Sequence, residues 1–313
     1  MKVLISGYSG FVGSNLLRYM QDKWEVHGLS RNGNGTAGLH AQVSWERLLP
    51  DDLQSVDAVI HLAGKAHDVK NASDPAAYFE TNTKLSQRLF DLFLESPAKC
   101  FIYFSSVKAA ADRVSGELTE EVKPDPQTPY GQSKQLAEAY MLGRELPPGK
   151  ALYIIRPCMI HGPGNKGNLN LLYQFVNKGI PYPLAAFDNK RSFLSVDNLC
   201  FVIAQLLEAN GSVPSGIYNV ADDDSVATNE LINIIAGTTG KGIRKWNIPR
   251  GMVKGLAKMG DVLRLPLNSS RLQKLTEDYV VSNRKIKQAL KIDRLPLATA
   301  AGLAQTIRSF QQK

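Results

Sequence analysis

No stretch of this 313-residue chain is apolar for long enough to span a bilayer. The strongest run, Leu199-Cys200-Phe201-Val202-Ile203-Ala204, falls far short of the ~20 residues a membrane helix needs. The start, Met1-Lys2-Val3-Leu4-Ile5, meets Ser6-Gly7 too soon to form the core of a secretion signal. Cysteine is scarce: Cys100, Cys158 and Cys200 are odd in number, far apart and set in apolar runs, which argues against a disulfide framework or a zinc site. The expectation is a soluble, cytoplasmic protein with no membrane partner. Runs of four or more Lys or Arg are also missing, and aromatics do not interleave with basic residues. The net charge of +8 is therefore read as a surface that attracts small anions, not nucleic acid. His27, His40, His61, His67 and His161 lack paired metal-ligand spacing, and Asp222-Asp223-Asp224 reads as a solvated turn, so no metal is expected. Without a Gly-x-Ser-x-Gly elbow, Ser-His-Asp hydrolysis has no support. A composition of 43% hydrophobic and 21% charged residues excludes disorder and coiled coil.

What is present is alternation. Short apolar runs predict strands near 2–6, 25–30, 57–61, 100–105 and 151–155, with a weaker one near 42–45. Helical patterns lie near 11–21, 75–95 and 130–145. Alternation of this kind predicts an α/β fold, a Rossmann-like doubly wound parallel sheet covered by helices on both faces. Gly33-Asn34-Gly35-Thr36-Ala37-Gly38 reads as an exposed loop. After Arg156-Pro157, prolines punctuate shorter elements, which predicts a smaller C-terminal α/β lobe over 158–313. The first domain, 1–157, is expected to be completed by about 192–220.

Gly7-Tyr8-Ser9-Gly10-Phe11-Val12-Gly13 follows the first strand and opens a helix with apolar Val12, Leu16, Leu17 and Met20. Glycines so placed allow a tight turn, close backbone approach to a pyrophosphate and close packing of helix on strand, while the helix N-terminus offers unpaired N–H groups. The second strand ends Leu29-Ser30-Arg31-Asn32, without the carboxylate that would bind ribose hydroxyls. A Ser-Arg pair there suits a 2′-phosphate, so NADP(H) is favoured and NAD(H) is the alternative. Tyr130 and Lys134 stand at i, i+4 on one helix face, where an ammonium can stabilise a phenolate. Ser105 and Ser106 end the fifth strand, where parallel sheets place ligands; alternation alone does not say which of the two faces a substrate.

Taken together, Gly7/Gly10/Gly13, His61-Leu62-Ala63-Gly64, Ser105-Ser106, Tyr130 with Lys134, and Arg156-Pro157 resemble the extended short-chain dehydrogenase/reductase superfamily. The segments His161-Gly162-Pro163-Gly164, Asn168 and Arg191 to Leu199 look like its nucleotide-sugar epimerase and ketoreductase branch, the resemblance covering about residues 1–205. It implies Tyr130 as acid/base, Lys134 as holder of the nicotinamide ribose, and Ser106, by alignment after the strand, as the hydroxyl on the substrate oxygen. Gly7, Ser9, Gly10, Phe11, Val12, Gly13, Ser30, Arg31, Leu62, Ala63 and Gly64 would hold the dinucleotide with Tyr130 and Lys134. His161, Asn168, Arg191 and Arg271 would join Ser106 on a nucleoside-diphosphate sugar, UDP-linked by expectation. Three features depart from the pattern: His161 replaces a common Tyr, the ribose-binding acid is absent, and no Asp-aliphatic adenine contact is assigned between 42 and 56. Lys178-Gly179-Ile180-Pro181-Tyr182-Pro183-Leu184 and Asn189-Lys190-Arg191-Ser192 are similar to bacterial reductases of UDP-4-keto-6-deoxy-N-acetylhexosamines, which supply surface polysaccharide sugars. The implied activity is C4 ketone reduction. A 4-epimerase with retained NAD and a non-catalytic dinucleotide-binding redox sensor are the rivals, and a homodimer is the family expectation.

Overall fold

The structure is a computed structural model that describes residues 1–31, 38–65, 74–165, 168–263 and 268–312, without the side chains of Asn168, Val262, Ser270 and Lys274. Most of the glycine-rich loop at 33–38 and His67 lie outside the described residues. The chain runs β1 (Lys2–Ser6), α1 (Phe11–Met20), β2 (Glu25–Ser30), β3 (Ala41–Ser44), β4 (Ala58–His61), α2 (Ala76–Tyr78), α3 (Leu85–Glu95), β5 (Cys100–Phe104), β6 (Glu117–Leu118), α4 (Pro129–Leu142) and β7 (Ala151–Pro157). The second half adds β8 (Met159–His161), α5 (Asn168–Asn177), β9 (Lys190–Ser195), α6 (Val196–Glu208), β10 (Gly216–Val220), β11 (Ser225–Ala227) and α7 (Thr228–Thr239). It closes with α8 (Arg250–Leu263), α9 (Ser269–Thr276), β12 (Val280–Val281), α10 (Arg284–Leu290) and α11 (Thr299–Gln311).

Seven strands form one sheet in the order β10-β7-β5-β4-β1-β2-β3, every neighbouring pair parallel. Successive side chains on these strands enter different layers, as the two-residue repeat requires. Val3, Ile5, Ile102, Phe104 and Tyr153 pack with α1 and α6, whereas Leu4, Val59, Phe101, Tyr103, Leu152 and Ile154 pack with α3 and α4. The doubly wound architecture is therefore as the alternation predicted. Strand order reverses at β1, whose neighbours are β2 and β4, and ligands of such sheets sit in the crevice beyond the strand ends there. The register brings Ser6 opposite both Leu29 and His61, so β1, β2 and β4 finish level.

The second half contributes to the main sheet and to a separate small one. Strand β10 joins the edge of the main sheet beside β7, and α6 packs against α1. Strands β11-β9-β8 form a separate small sheet, covered by α5, α7, α8, α9 and α11 around a third core containing Phe193, Val226, Ile232, Val253 and Ile307. Among the described residues no helix is long and apolar enough to cross a membrane, and the three cysteines are free thiols.

Two local expectations need correction. The helix expected near 75–95 is broken by a π-helical turn at Phe79–Lys84. The cause is polar: the Asn82 carbonyl accepts from Ser86 Oγ at 2.7 Å and from Tyr103 Oη at 3.3 Å, and competing bonds of this kind displace regular i→i−4 pairing. Asp222-Asp223-Asp224 is not a solvated turn. Asp222 is buried and accepts from the Ser195 amide and, at 2.7 Å, from Asn198 Nδ2, while Asp223 accepts from Lys287 Nζ at 2.8 Å. Only Asp224 is exposed. The β9–α6 junction leaves buried donors that Asp222 satisfies, and Asp223 does the same for Asn283, Lys287 and Leu295 nearer the C-terminus.

Candidate active site

The glycine turn is dictated by close backbone approach. Gly7 has φ +73°, and a Cβ there would stand 2.7 Å from the Ala63 amide nitrogen. At Gly13 a Cβ would meet the Gly7 carbonyl oxygen at 2.4 Å. The turn is thus pressed between the start of α1 and the Leu62-Ala63 segment after β4. Gly10 is the N-cap of this ten-residue helix; no side chain caps it and no acid sits in its first turn. Ser9 and Gly10 are exposed, and Phe11 and Val12 half-buried. An uncapped helix start of open backbone, ending a parallel strand at the order reversal, fits a dinucleotide pyrophosphate.

On the β2 side, Ser30 Oγ accepts from Gln42 Nε2 at 3.0 Å, and the same amide reaches the Tyr8 hydroxyl. Arg31 follows, exposed, directly after the end of β2. On the β4 side, buried His61 is held by Ser6 Oγ at 2.6 Å on Nδ1 and Ser86 Oγ at 2.8 Å on Nε2. Ser86 spends its own proton on the Asn82 carbonyl, so Nε2 of His61 donates and Nδ1 accepts from Ser6. The ring is neutral: burial, helped by Lys134 nearby, lowers its pKa to about 3. His61 therefore braces the β1 and β4 ends and leaves the crevice to Leu62, Ala63 and Gly64.

The third wall is the start of α4. Thr128 caps it by accepting from the Gly131 amide, and Pro129 occupies its first turn. A Cβ on Gly131 would lie 2.4 Å from the Lys108 carbonyl, so this helix start rests directly on the turn after β5. Ser106 caps that turn, accepting from the Lys108 amide at 3.2 Å, and its hydroxyl hydrogen-bonds the Tyr130 phenol. Ser105 instead is buried with its hydroxyl facing no partner among the described residues. The fold thereby separates two serines that alternation could not. Burial raises the Tyr130 pKa, the Ser106 bond opposes that, and Tyr78, packed edge-on at 6.2 Å between ring centres, adds to it.

One turn on, Lys134 is buried and donates to the Phe104 carbonyl at 2.7 Å; burial lowers its pKa to about 8, with Glu138 pulling the other way. Glu138, a further turn along the same face, is buried and clamped by Arg156, whose Nε lies 2.9 Å from Oε1. Gly64, Asn82 and Lys134 converge: a Cβ on Gly64 would sit 2.9 Å from Asn82 Oδ1 and 3.2 Å from Lys134 Nζ. Asn82 bonds the Lys65 backbone through Oδ1 at 2.7 Å and Nδ2 at 3.1 Å, and also reaches Ser133 Oγ. Sequence reasoning missed Asn82 and Glu138. Their available signals were a polar Asn inside a helical pattern and an acid at i+4 from Lys134.

The second lobe is less uniform. A Cβ on Gly162 would meet Val196 Cγ1 at 2.4 Å and Phe11 Cζ at 3.4 Å, so the loop after β8 abuts the start of α1. His161, expected on substrate, is instead buried, only 1% exposed, with Nδ1 2.9 Å from Thr306 Oγ1 and Nε2 3.5 Å from Asp222 Oδ2. It ties β8 to α11, because the alternation of β8 turns this side chain inward. Arg191 is half-buried on β9 beside the Glu277 carbonyl, and Arg271 is exposed on α9, the helix that ends at Thr276 just before Glu277. Asn168 opens α5, its side chain outside the described residues. Among the described residues no group of three His, Cys, Asp or Glu side chains is arranged to hold a metal.

A parallel sheet with a glycine-turn crevice and a Ser-Tyr-Lys wall defines an extended short-chain dehydrogenase/reductase. Residues 3–221 match the NAD dependent epimerase/dehydratase family, and the chain belongs to it. It is 28% identical to the UDP-glucose 4-epimerase of Vibrio cholerae over 99% of this chain and 95% of that protein. It is 27% identical to the GDP-6-deoxy-D-mannose reductase of Pseudomonas aeruginosa, over 75% of this chain and 79% of the relative. Among solved structures, the UDP-N-acetylglucosamine 4-epimerase of Bacillus cereus superposes with a TM-score of 0.78 at 21% identity, covering 100% of both chains.

Proposed function

We propose that this enzyme is a nucleotide-sugar 4-ketoreductase, acting with NADPH on the C4 ketone of a UDP-4-keto-6-deoxy-N-acetylhexosamine. The observation that carries the reading is the Ser106–Tyr130 hydroxyl pair at the crevice mouth, set one helical turn from Lys134. When bound, the nicotinamide supplies the hydride to C4. Ser106 and Tyr130 donate hydrogen bonds to the ketone oxygen, and Tyr130 gives up its proton as that oxygen becomes an alkoxide. Lys134, anchored on Phe104, orients its ammonium along the same helix face and stabilises the phenolate left behind. Arg191 and Arg271 supply cations for the substrate diphosphate.

The direction of reduction has physical support. Burial raises the Tyr130 pKa, which favours the phenol, the form that donates, whereas a 4-epimerase must first use the phenolate as a base. The end of β2 presents Ser30 and Arg31 and no carboxylate, which favours a cofactor carrying a 2′-phosphate. The similarity to a UDP-glucose 4-epimerase along nearly the whole chain favours the second reading, C4 inversion with retained NAD. We also expect a homodimer through α4, which exposes Leu136 and Leu142; light scattering on the purified protein checks it.

The deciding experiment incubates the protein with NADPH, and separately NADH, plus UDP-4-keto-6-deoxy-N-acetylglucosamine, following cofactor absorbance and product by NMR. Stoichiometric loss of NADPH with a reduced C4 establishes the ketoreductase. Inversion of UDP-hexoses at C4 without cofactor loss makes the enzyme an epimerase. Dinucleotide binding without turnover on a panel of UDP- and dTDP-sugars makes it a sensor.

A further inference from the structure

Helix α8 turns a row of large apolar side chains to solvent. Met252, Leu256, Met259 and Leu263 are 49–61% exposed and lie at i, i+4, i+7 and i+11, one stripe along the helix. Val253 and Ala257 pack into the third core on an adjacent face. Trp246, 53% exposed, stands four residues before the helix, fixed by its amide on the Tyr182 carbonyl. Scattered surface apolar residues are ordinary, but four at helical spacing form one continuous stripe along α8.

The charge along this segment is one-sided, with Lys254 and Lys258 on the polar face of α8. Between residues 231 and 260 the chain carries six basic residues, Lys241, Arg244, Lys245, Arg250, Lys254 and Lys258, and no Asp or Glu. The whole chain has an excess of only eight, so most of its net positive charge is concentrated here. All six but Lys245 are exposed, and Lys245 donates to the Asn229 carbonyl. The next acid, Asp261, is engaged by the amide of Ser269 at the α8–α9 turn.

We propose that α8 and Trp246 form a membrane-surface element whose apolar stripe lies in the headgroup boundary of an anionic phospholipid leaflet, with the basic residues against the phosphates. The sequence-based expectation of no membrane partner considered spanning segments, and a helix lying in the interface plane is not one. Indole and long apolar side chains suit that boundary, and juxtaposed Lys and Arg are drawn to its negative potential. A second copy of this chain is a poorer occupant. Pairing the stripe with itself would bring two such cationic segments together with no carboxylate between 231 and 260 on either side.

The test is flotation of the full-length protein with phosphatidylcholine vesicles and with vesicles containing 30 mol% phosphatidylglycerol (roughly the anionic content that creates such a surface potential). We expect partition onto the anionic vesicles, weakened by salt and nearly absent on phosphatidylcholine alone. Met252→Glu with Leu256→Glu, and separately Lys254→Glu with Lys258→Glu, should each lower partition by about tenfold or more at unchanged thermal midpoint, since all four side chains are exposed. Vesicles should also shift tryptophan emission to the blue, and Trp246→Phe should abolish the shift because Trp45 is buried and Trp24 half-buried. No flotation with anionic vesicles, or flotation undiminished in both double variants, overturns the proposal. A dimer dispersed by Leu256→Glu in protein that does not float overturns it in favour of a second copy.

Discussion

Replacing Lys134 by Met should make the cofactor-free protein more stable at neutral pH while removing its chemistry. Lys134 is buried, donates to one carbonyl, and has its pKa lowered from the ordinary 10.5 to about 8. Between these two values the unfolded chain holds a proton that the folded protein does not, so stability rises with pH across that window. Below pH 8 both states are charged and the folded state bears the whole penalty, roughly 3 kcal/mol at 1.36 kcal/mol per pKa unit. Losing the bond to the Phe104 carbonyl takes back about 1–2 kcal/mol, which leaves Lys134→Met ahead by about 1–2 kcal/mol at pH 7. Urea unfolding of both proteins from pH 7 to 10.5 reads the difference, and other titrating groups cancel in it. The advantage of the variant should shrink as pH passes 8 and reverse between about pH 9 and 10. Parallel stability curves, or a variant less stable at pH 7, would refute the claim that this ammonium is held at the expense of the fold.

Four further outcomes follow from the same site. Tyr130→Phe should lower kcat by about 10²–10⁴-fold in single-turnover ketone reduction with substrate affinity retained; because burial raises the phenol pKa, the wild-type reverse oxidation should gain rate as pH rises toward 10. Arg31→Ala should raise KM for NADPH by about tenfold and leave that for NADH nearly unchanged, a difference steady-state kinetics with each cofactor reads directly. Glu138→Ala strands buried Arg156 and should cost about 3–5 kcal/mol in urea unfolding, while the double variant Glu138→Leu with Arg156→Met should recover most of it. Gly13→Ala forces a Cβ against the Gly7 carbonyl, and calorimetric titration should show dinucleotide binding lost before the fold is.

How far the sequence carries depends on how local the cause is. The turn from Gly7 to Gly13 and the placement of Tyr130 above Lys134 were legible because each is set within one strand–helix junction or one helical turn. The seven-stranded order was legible as a class, since near-continuous apolar runs such as Val3-Leu4-Ile5 and Tyr153-Ile154-Ile155 need cover on both faces. The choice between Ser105 and Ser106 was not fixed by alternation, because β5 stops at Phe104 and the turn beyond it follows its contact with α4. His161 and Asp222 were misread for one reason: each looks polar and ligand-like or solvated in isolation, yet each satisfies a buried group brought in from far along the chain, Thr306 in one case and Ser195 and Asn198 in the other. Asn82 shows the converse. Its side chain joins three separate segments through Lys65 and Ser133 while its carbonyl takes the Ser86 and Tyr103 hydroxyls at the π-helical turn, a convergence that only the assembled sheet explains. The charge expected of Lys134 therefore rests on one partner from outside its helix and one within it, the Phe104 carbonyl on β5 accepting from Nζ and Glu138 one turn along α4 opposing the lowering by burial.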